Sequence, residues 1–316
     1  MVDSEIFVRD DVRAFLGMLA GMNRPDMRTV PIEQTRTMTA AMQPMVQLPA
    51  RELARIEDLS CPGPGGEIRL RLYDTRTARG PSPLLVFIHG GGFVFGDLDS
   101  YQATCSEIAA EMDLPLVSVE YRLAPEHPFP AAPEDCEAAA RWLAASPTAL
   151  GFEVTGLIPV GDSAGGNLAI VTTQSLMLAP AAVPVVMQVP IYPIADPIAP
   201  HESYAQFGDG FMLTKDVIAF FDECYALDPA DRRAYPVLGP LAGTPPTVLA
   251  TAGLDPLRDS GRNYAAALIM AGCDVTYLEL AGNIHGLIQI RKAIPSAQGD
   301  LLAIIGAMKA TLERLA

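Results

Sequence analysis

From residue 84 onward, short apolar runs recur along the chain: "LLVFIH", "LPLVSVEY", "LIPVG", "VPVVMQVP", "TVLATAG" and "VTYLEL". Most are rich in Val and Ile, and helix-length segments such as "APEDCEAAARWLAA" separate them. Branched side chains suit strands, and runs without polar alternation suit strands buried on both faces. Strands that alternate with helices build a mostly parallel sheet covered on both sides. The stretch "EIRLRLYD" alternates instead, which predicts a half-buried antiparallel strand, and "CPGPGGE" (Cys61–Glu67) at its start is turn chemistry. Half of the 316 residues are hydrophobic and 19% are charged, enough core for one large α/β domain or two small ones.

Two regions break the rhythm. Val8, Val12, Phe15, Leu16 and Leu19 follow helical spacing and predict a helix over residues 3–22. A second helix is expected from Pro31 to Gln43, with Pro31 in its first turn and Pro44 ending it. Met18, Met22, Met27, Met38, Met42 and Met45 crowd this region. Flexible thioethers suit a pliable lid over an apolar pocket, and they suit ordinary helix packing equally well. Residues 197–236 lie between two predicted strands and carry their own helix. Thr214 can cap it, and Val217, Ile218, Phe221, Cys224 and Tyr225 form its apolar stripe. The expected organisation is N-terminal cap helices over 1–48, a catalytic α/β body over 49–196 and 237–316, and a cap insertion over 197–236.

Charge and cysteine usage narrow the function. The net charge of −15 argues against nucleic acid or anionic membrane as main partners. Cys61, Cys105, Cys136, Cys224 and Cys273 form no CxxC pair, so neither a disulfide framework nor zinc-ligand spacing is visible. The start "MVDSEIFVRDDVRAF" is too acidic and too broken for a signal peptide. No apolar run reaches about 18 residues. A cytoplasmic protein without stable membrane insertion is expected.

The chemistry centres on Gly161-Asp162-Ser163-Ala164-Gly165. G-x-S-x-G alone is weak evidence, but here a predicted strand precedes it and a predicted helix follows. Such a tight strand-to-helix turn strains the serine and leaves no room for side chains beside it. Pro159 sits awkwardly in the strand before the turn, where it removes a ladder donor. Upstream, "FIHGGGF" exposes bare backbone N–H groups (His89–Phe93). A phosphate loop does not fit: Phe95 stands where G-x-G-x-x-G needs its third glycine, and Asn167 where a P-loop needs lysine. An oxyanion hole of Gly90, Gly91 and Ala164 N–H groups fits better.

A nucleophilic serine needs a base, and the base an orienting acid. Of four histidines, His89 belongs to the glycine loop, His127 to a proline-rich loop with an expected structural role, and His201 to the insertion. His285 follows the last predicted strand on a glycine-flanked loop and is the expected base. Asp255 stands just past a strand end and is the expected acid; Asp259 falls within the next helix, beside Arg258 and Arg262. Asp162 is expected to point away from the histidine and brace the loop.

With "HGGG" (His89–Gly92), "YRLAPEHPFPAA" (Tyr121–Ala132), "GDSAGG" (Gly161–Gly166), "DPLRD" (Asp255–Asp259) and His285–Gly286 in this order, the sequence resembles the hormone-sensitive-lipase-like carboxylesterases over residues 60–290. Leu287 departs from the phenylalanine usual in that family. The resemblance implies an eight-stranded α/β-hydrolase fold with a helical cap. It implies hydrolysis of short- to medium-chain acyl esters of small molecules, without metal or organic cofactor, and pairing of two copies through the last strand. An amidase, an acyltransferase or a non-catalytic binding protein would share the same framework. Phe211, Met212, Leu213, Met38 and Met42 are the expected pocket residues.

Overall fold

The computed structural model describes residues 6–22 and 27–315. Its elements are α1 (Asp10–Ala20), α2 (Ile32–Val46), β1 (Arg55–Gly63), β2 (Gly66–Asp74), β3 (Ser82–Ile88), α3 (Gln102–Met112), β4 (Leu116–Glu120), α4 (Ala131–Ala144), β5 (Val154–Asp162), α5 (Ala164–Leu178), β6 (Val189–Ile191), α6 (Glu202–Phe207), α7 (Lys215–Tyr225), β7 (Thr247–Leu254), α8 (Arg258–Met270), β8 (Val275–Ile284) and α9 (Ser296–Leu315). One eight-stranded sheet runs in the order β1-β2-β4-β3-β5-β6-β7-β8. The β1/β2 and β2/β4 pairs are antiparallel and the rest are parallel. The fold is that of the α/β hydrolases, as the resemblance implied, and its sheet is mostly parallel and helix-covered, as the strand-helix rhythm predicted.

Period two divides the core into two layers. On β3, Leu85 and Phe87 face one layer with Ile108 of α3 and Leu301 and Ile304 of α9. Leu84, Val86 and Ile88 face the other, with Cys136 and Leu143 of α4 and Leu168 of α5. β3, β5 and β7 thus lie between helices, and their carboxyl ends reach one edge of the sheet, where the loops diverge.

Several local expectations change. Gly63 pairs with Gly66, so Pro64 and Gly65 alone make the hairpin turn and Cys61–Gly63 belongs to a strand. Helix α1 starts at Asp10, not near residue 3; residues 3–5 lie outside the described residues, and 6–9 are not helical. Arg9 precedes it in extended conformation, with its guanidinium on both carboxylate oxygens of Asp300, at 2.7 and 2.9 Å. Pro44 does not end α2 but lies inside its last turn. Only one helical N–H is lost there. The segment after β8 holds that end: Lys292 Nζ donates to the Pro44 carbonyl, and the Lys292 and Ala293 N–H groups donate to the Val46 carbonyl.

Pro159 also finds its reason. Leu157 exchanges hydrogen bonds with the segment leading into β6: its N–H donates to Pro184 O and its carbonyl accepts from Val186 N. Alternation turns the Pro159 nitrogen to that same side. Regular β5/β6 pairing begins only at Val160↔Val189, while Gln188 N–H turns instead to Pro246 O. The proline sits before the regular β5/β6 ladder begins, so its missing N–H removes no bond from that regular pairing.

Above the sheet edge, α2 contributes no buried residue, while α7 buries Ile218, Phe220 and Tyr225. Thr214 caps α7 by accepting the Val217 N–H at 3.3 Å. Among the described residues, no helix is long and apolar enough to cross a membrane.

Candidate active site

Ser163 stands between β5 and α5 with φ 57° and ψ −118°, a conformation that costs a non-glycine residue about 1–3 kcal/mol. Its neighbours leave no alternative. A Cβ on Gly161 would come within 2.2 Å of the Gly165 carbonyl oxygen, and one on Gly165 within 2.0 Å of Ile88 O. The Ser163 N–H donates to Ile191 O at 2.9 Å, tying the turn to β6. The turn thus grips the carboxyl ends of β3 and β6, and the hydroxyl is held outward.

His285 follows β8, and Asp255 follows β7 by one residue. His285 Nε2 lies 2.8 Å from Ser163 Oγ, and Nδ1 lies 2.7 Å from Asp255 Oδ2. An ionised carboxylate only accepts, so Nδ1 carries the proton and Nε2 is left to accept from the hydroxyl. The other Asp255 oxygen accepts the Leu257 N–H at 2.8 Å, and the carboxylate is fully buried. This chain of contacts can draw the hydroxyl proton onto the imidazole and steady the resulting charge. Asp259 is instead held by Arg258 at 2.9 Å, Arg262 at 3.1 Å and the Ser203 N–H.

The glycine loop differs from expectation at Gly90. Its N–H donates to Asp162 Oδ1 at 2.9 Å and lies 3.1 Å from the Tyr101 hydroxyl, so it is not free to meet an oxyanion. The loop turns through positive φ only afterwards, at Gly91 (114°) and Gly92 (63°). That reversal leaves the Gly91 and Gly92 N–H groups without an acceptor among the described residues. Ala164 adds the first N–H of α5, which no helical carbonyl can reach. The N–H groups left open toward an acceptor are therefore those of Gly91, Gly92 and Ala164. The third glycine of "HGGG" was the visible signal for Gly92; the direction of each N–H was not.

Asp162 braces this loop from below. Besides Gly90, the Tyr101 and Tyr192 hydroxyls lie 3.2 and 3.3 Å from its Oδ2. Burial pushes its carboxyl up to about 6, against the pull of the Gly90 N–H and the nearby His285. The Tyr192 ring also lies 4.8 Å from His285, so one buried network touches both oxyanion loop and imidazole. His89 is enclosed, stacked on Tyr121 at 4.2 Å, with Nδ1 2.8 Å from Gly90 O. Burial pushes it down to about 4, which keeps it neutral. His201 contacts Asp196 at 2.9 Å, and His127 is exposed and lines the cavity, its N–H donating to Leu123 O within its loop.

Ser163 and His285 open on a cavity of about 600 Å³. Met212 and Leu213 line it. Phe211 does not, and packs edge-on against Phe207 instead. Met38 and Met42 point outward, at 45% and 41% exposure. The face that α2 turns to the cavity is Arg36, Thr39, Ala40 and Gln43, at i, i+3, i+4 and i+7. The methionines follow the same period one position out of phase, a difference that composition does not show.

Known proteins carry the same framework. The family described as the alpha/beta hydrolase fold matches residues 85–289. The chain is 40% identical over 270 residues, 82% of its own length and 71% of the relative's, to the carboxylic ester hydrolase LipN of Mycobacterium tuberculosis. It is 33% identical to an ethyl acetate hydrolase of Pseudomonas putida, covering 95% of this chain and 98% of that one. Among solved structures, an alpha/beta hydrolase enzyme from the metagenome of Lake Arreo, Spain, superposes with a TM-score of 0.91 at 33% identity, covering 97% and 99% of the two chains.

Proposed function

This chain belongs to the hormone-sensitive-lipase-like carboxylesterases of the α/β-hydrolase fold, and from that premise we propose that Ser163, His285 and Asp255 hydrolyse short- to medium-chain acyl esters. The chain is a carboxylic ester hydrolase. What supports these residue roles is the unbroken relay of 2.8 and 2.7 Å contacts at the floor of the cavity. His285 takes the Ser163 proton as Oγ attacks the ester carbonyl. The carbonyl oxygen becomes an oxyanion, met by the Gly91, Gly92 and Ala164 N–H groups. His285 then protonates the departing alcohol. Water, deprotonated by the same imidazole, releases the acid and restores Ser163.

A cavity of about 600 Å³ suits a small ester, in keeping with the ethyl acetate named for one relative. The test is an acyl series of p-nitrophenyl esters from acetate to decanoate, with wild type and Ser163→Ala. Turnover should be greatest for the shorter acyl chains, and Ser163→Ala should lower kcat by at least about 10⁴-fold. Retained activity in that variant would overturn the roles of all three residues. The cytoplasm as working compartment is supported by the unpaired thiols. β8 ends the sheet order, and no further strand pairs with its outer side among the described residues, where Arg9 bonds only the Ala281 and Gly282 carbonyls; this supports association of two copies there; a monomeric mass in solution would refute it.

A further inference from the structure

One carboxylate in the cavity wall has no part in that chemistry. Asp222 lies on α7, beside the face that turns Val217, Ile218 and Phe221 to the substrate space. Other wall carboxylates are engaged: Glu126 by Arg36, Asp97 by the Ser100 N–H, and Glu120 by Arg69. The Asp222 carboxylate accepts no hydrogen bond among the described residues. Its side chain is exposed to solvent on that wall, and the partial burial it does have raises its pKa, with neighbouring Glu223 adding to the rise. Among the described residues the cavity offers it no free cation. Arg36 is the one guanidinium they place on the wall; Glu126 holds it at 2.8 and 2.9 Å, and it also donates to the carbonyls of Val94 and Ala124.

Aromatic rings complete the surroundings. Phe95 and Phe221 meet edge-on at 5.8 Å, and Phe93, Tyr101 and Tyr121 also line the cavity. Ring faces attract cations, most strongly where water is displaced. An anionic substituent would meet Asp97, Glu120, Glu126 and Asp222 inside a chain of net charge −15.

Building on the ester-hydrolase reading of this site, we propose that Asp222 is a specificity-determining residue that selects esters bearing an ammonium group away from the scissile carbonyl, over neutral esters of the same shape. An ammonium group seated beside it would supply the cation that the wall lacks, in a cavity that Phe95 and Phe221 also line.

The test compares the acetate ester of choline with its neutral isostere, in which tert-butyl replaces trimethylammonium. Wild type should favour the cationic ester by about tenfold in kcat/KM, with the difference in KM. The ratio should shrink as salt is raised. It should fall to about one in Asp222→Asn and below one in Asp222→Lys. A wild-type ratio near one, with p-nitrophenyl acetate still hydrolysed, would overturn the assignment alone. A ratio unchanged in Asp222→Asn would do the same. Failure of wild type to hydrolyse any of the three esters would overturn the ester-hydrolase reading with it.

Discussion

At the carboxyl edge of the sheet, the reacting groups stand on backbone that has no room to shift, whereas the helices above the edge present side chains across open space. Ser163 is held by glycines whose added Cβ atoms would strike backbone oxygens of Gly165 and Ile88. Asp255 is fully buried and His285 nearly so. By contrast α2 has no fully buried residue, and it grips the body through Ile32 and Val46, half-buried against the core, and polar contacts such as Arg36 with Glu126. Rigidity where bonds are made, and looser cover where the substrate is accepted, follow from what each region packs against.

The Gly91 and Gly92 pair probes that difference most strongly. A Cβ on Gly91 would lie 2.3 Å from the Phe95 carbonyl oxygen, which is backbone and cannot yield. Gly91→Ala should therefore lower kcat on the order of 10²–10³-fold, as loss of an oxyanion donor does. A Cβ on Gly92 would meet the Phe221 ring at 2.3 Å, and that ring belongs to the cover. Gly92→Ala should cost less, about tenfold, and adding Phe221→Ala should restore part of the loss. Steady-state kinetics on the single and double variants measure both; additive losses at Gly92 and Phe221 would refute the contact.

Next in size is a pH effect confined to the rigid region. Asp162 holds its proton more tightly when folded, so folding is favoured most below about pH 4. Its contribution falls as pH rises and levels off above about pH 6. His89 acts in the opposite sense: its depressed value makes stability fall as pH drops from about 6.5 towards 4. The two slopes oppose in the wild type. In Asp162→Asn the falling slope of that carboxyl is removed while the other groups titrate as before, so stability relative to wild type should gain about 3 kcal/mol between pH 4 and pH 6. Denaturant titrations at several pH values test this, and parallel curves for the two proteins would refute it.

The smallest effect belongs to the cover's outer face. Met38→Gln and Met42→Gln should each change stability by less than about 0.5 kcal/mol and leave the acyl-length profile unchanged. A shifted profile would place those side chains in the substrate space after all.

Much of this was legible from residue order. The run of buried strands, the G-x-S-x-G turn and the loop positions of Asp255 and His285 are local patterns with local physics, and sequence records local patterns directly. Gly90 and Gly92 show the limit. Both sit in one glycine run, and only the dihedral reversal at Gly91 and the carboxylate of Asp162 below decide which N–H faces the cavity. Pro44 and Pro159 show it from the other side: each breaks a local rule harmlessly, one because Lys292 and Ala293 hold the helix end, the other because regular β5/β6 pairing begins only beyond it.

Sequence by itself determined the fold class, the strand-turn-helix around Ser163 and the pairing of types needed for acyl transfer, because spacing and propensity act over a few residues. Tertiary structure alone decided which N–H groups stay unpaired, that α2 faces the cavity with Thr39 and Gln43 rather than Met38 and Met42, and that Asp222 stands there with no hydrogen-bond partner among the described residues. Those outcomes depend on which distant segments meet, and a side chain's spacing along its own helix does not say what stands opposite.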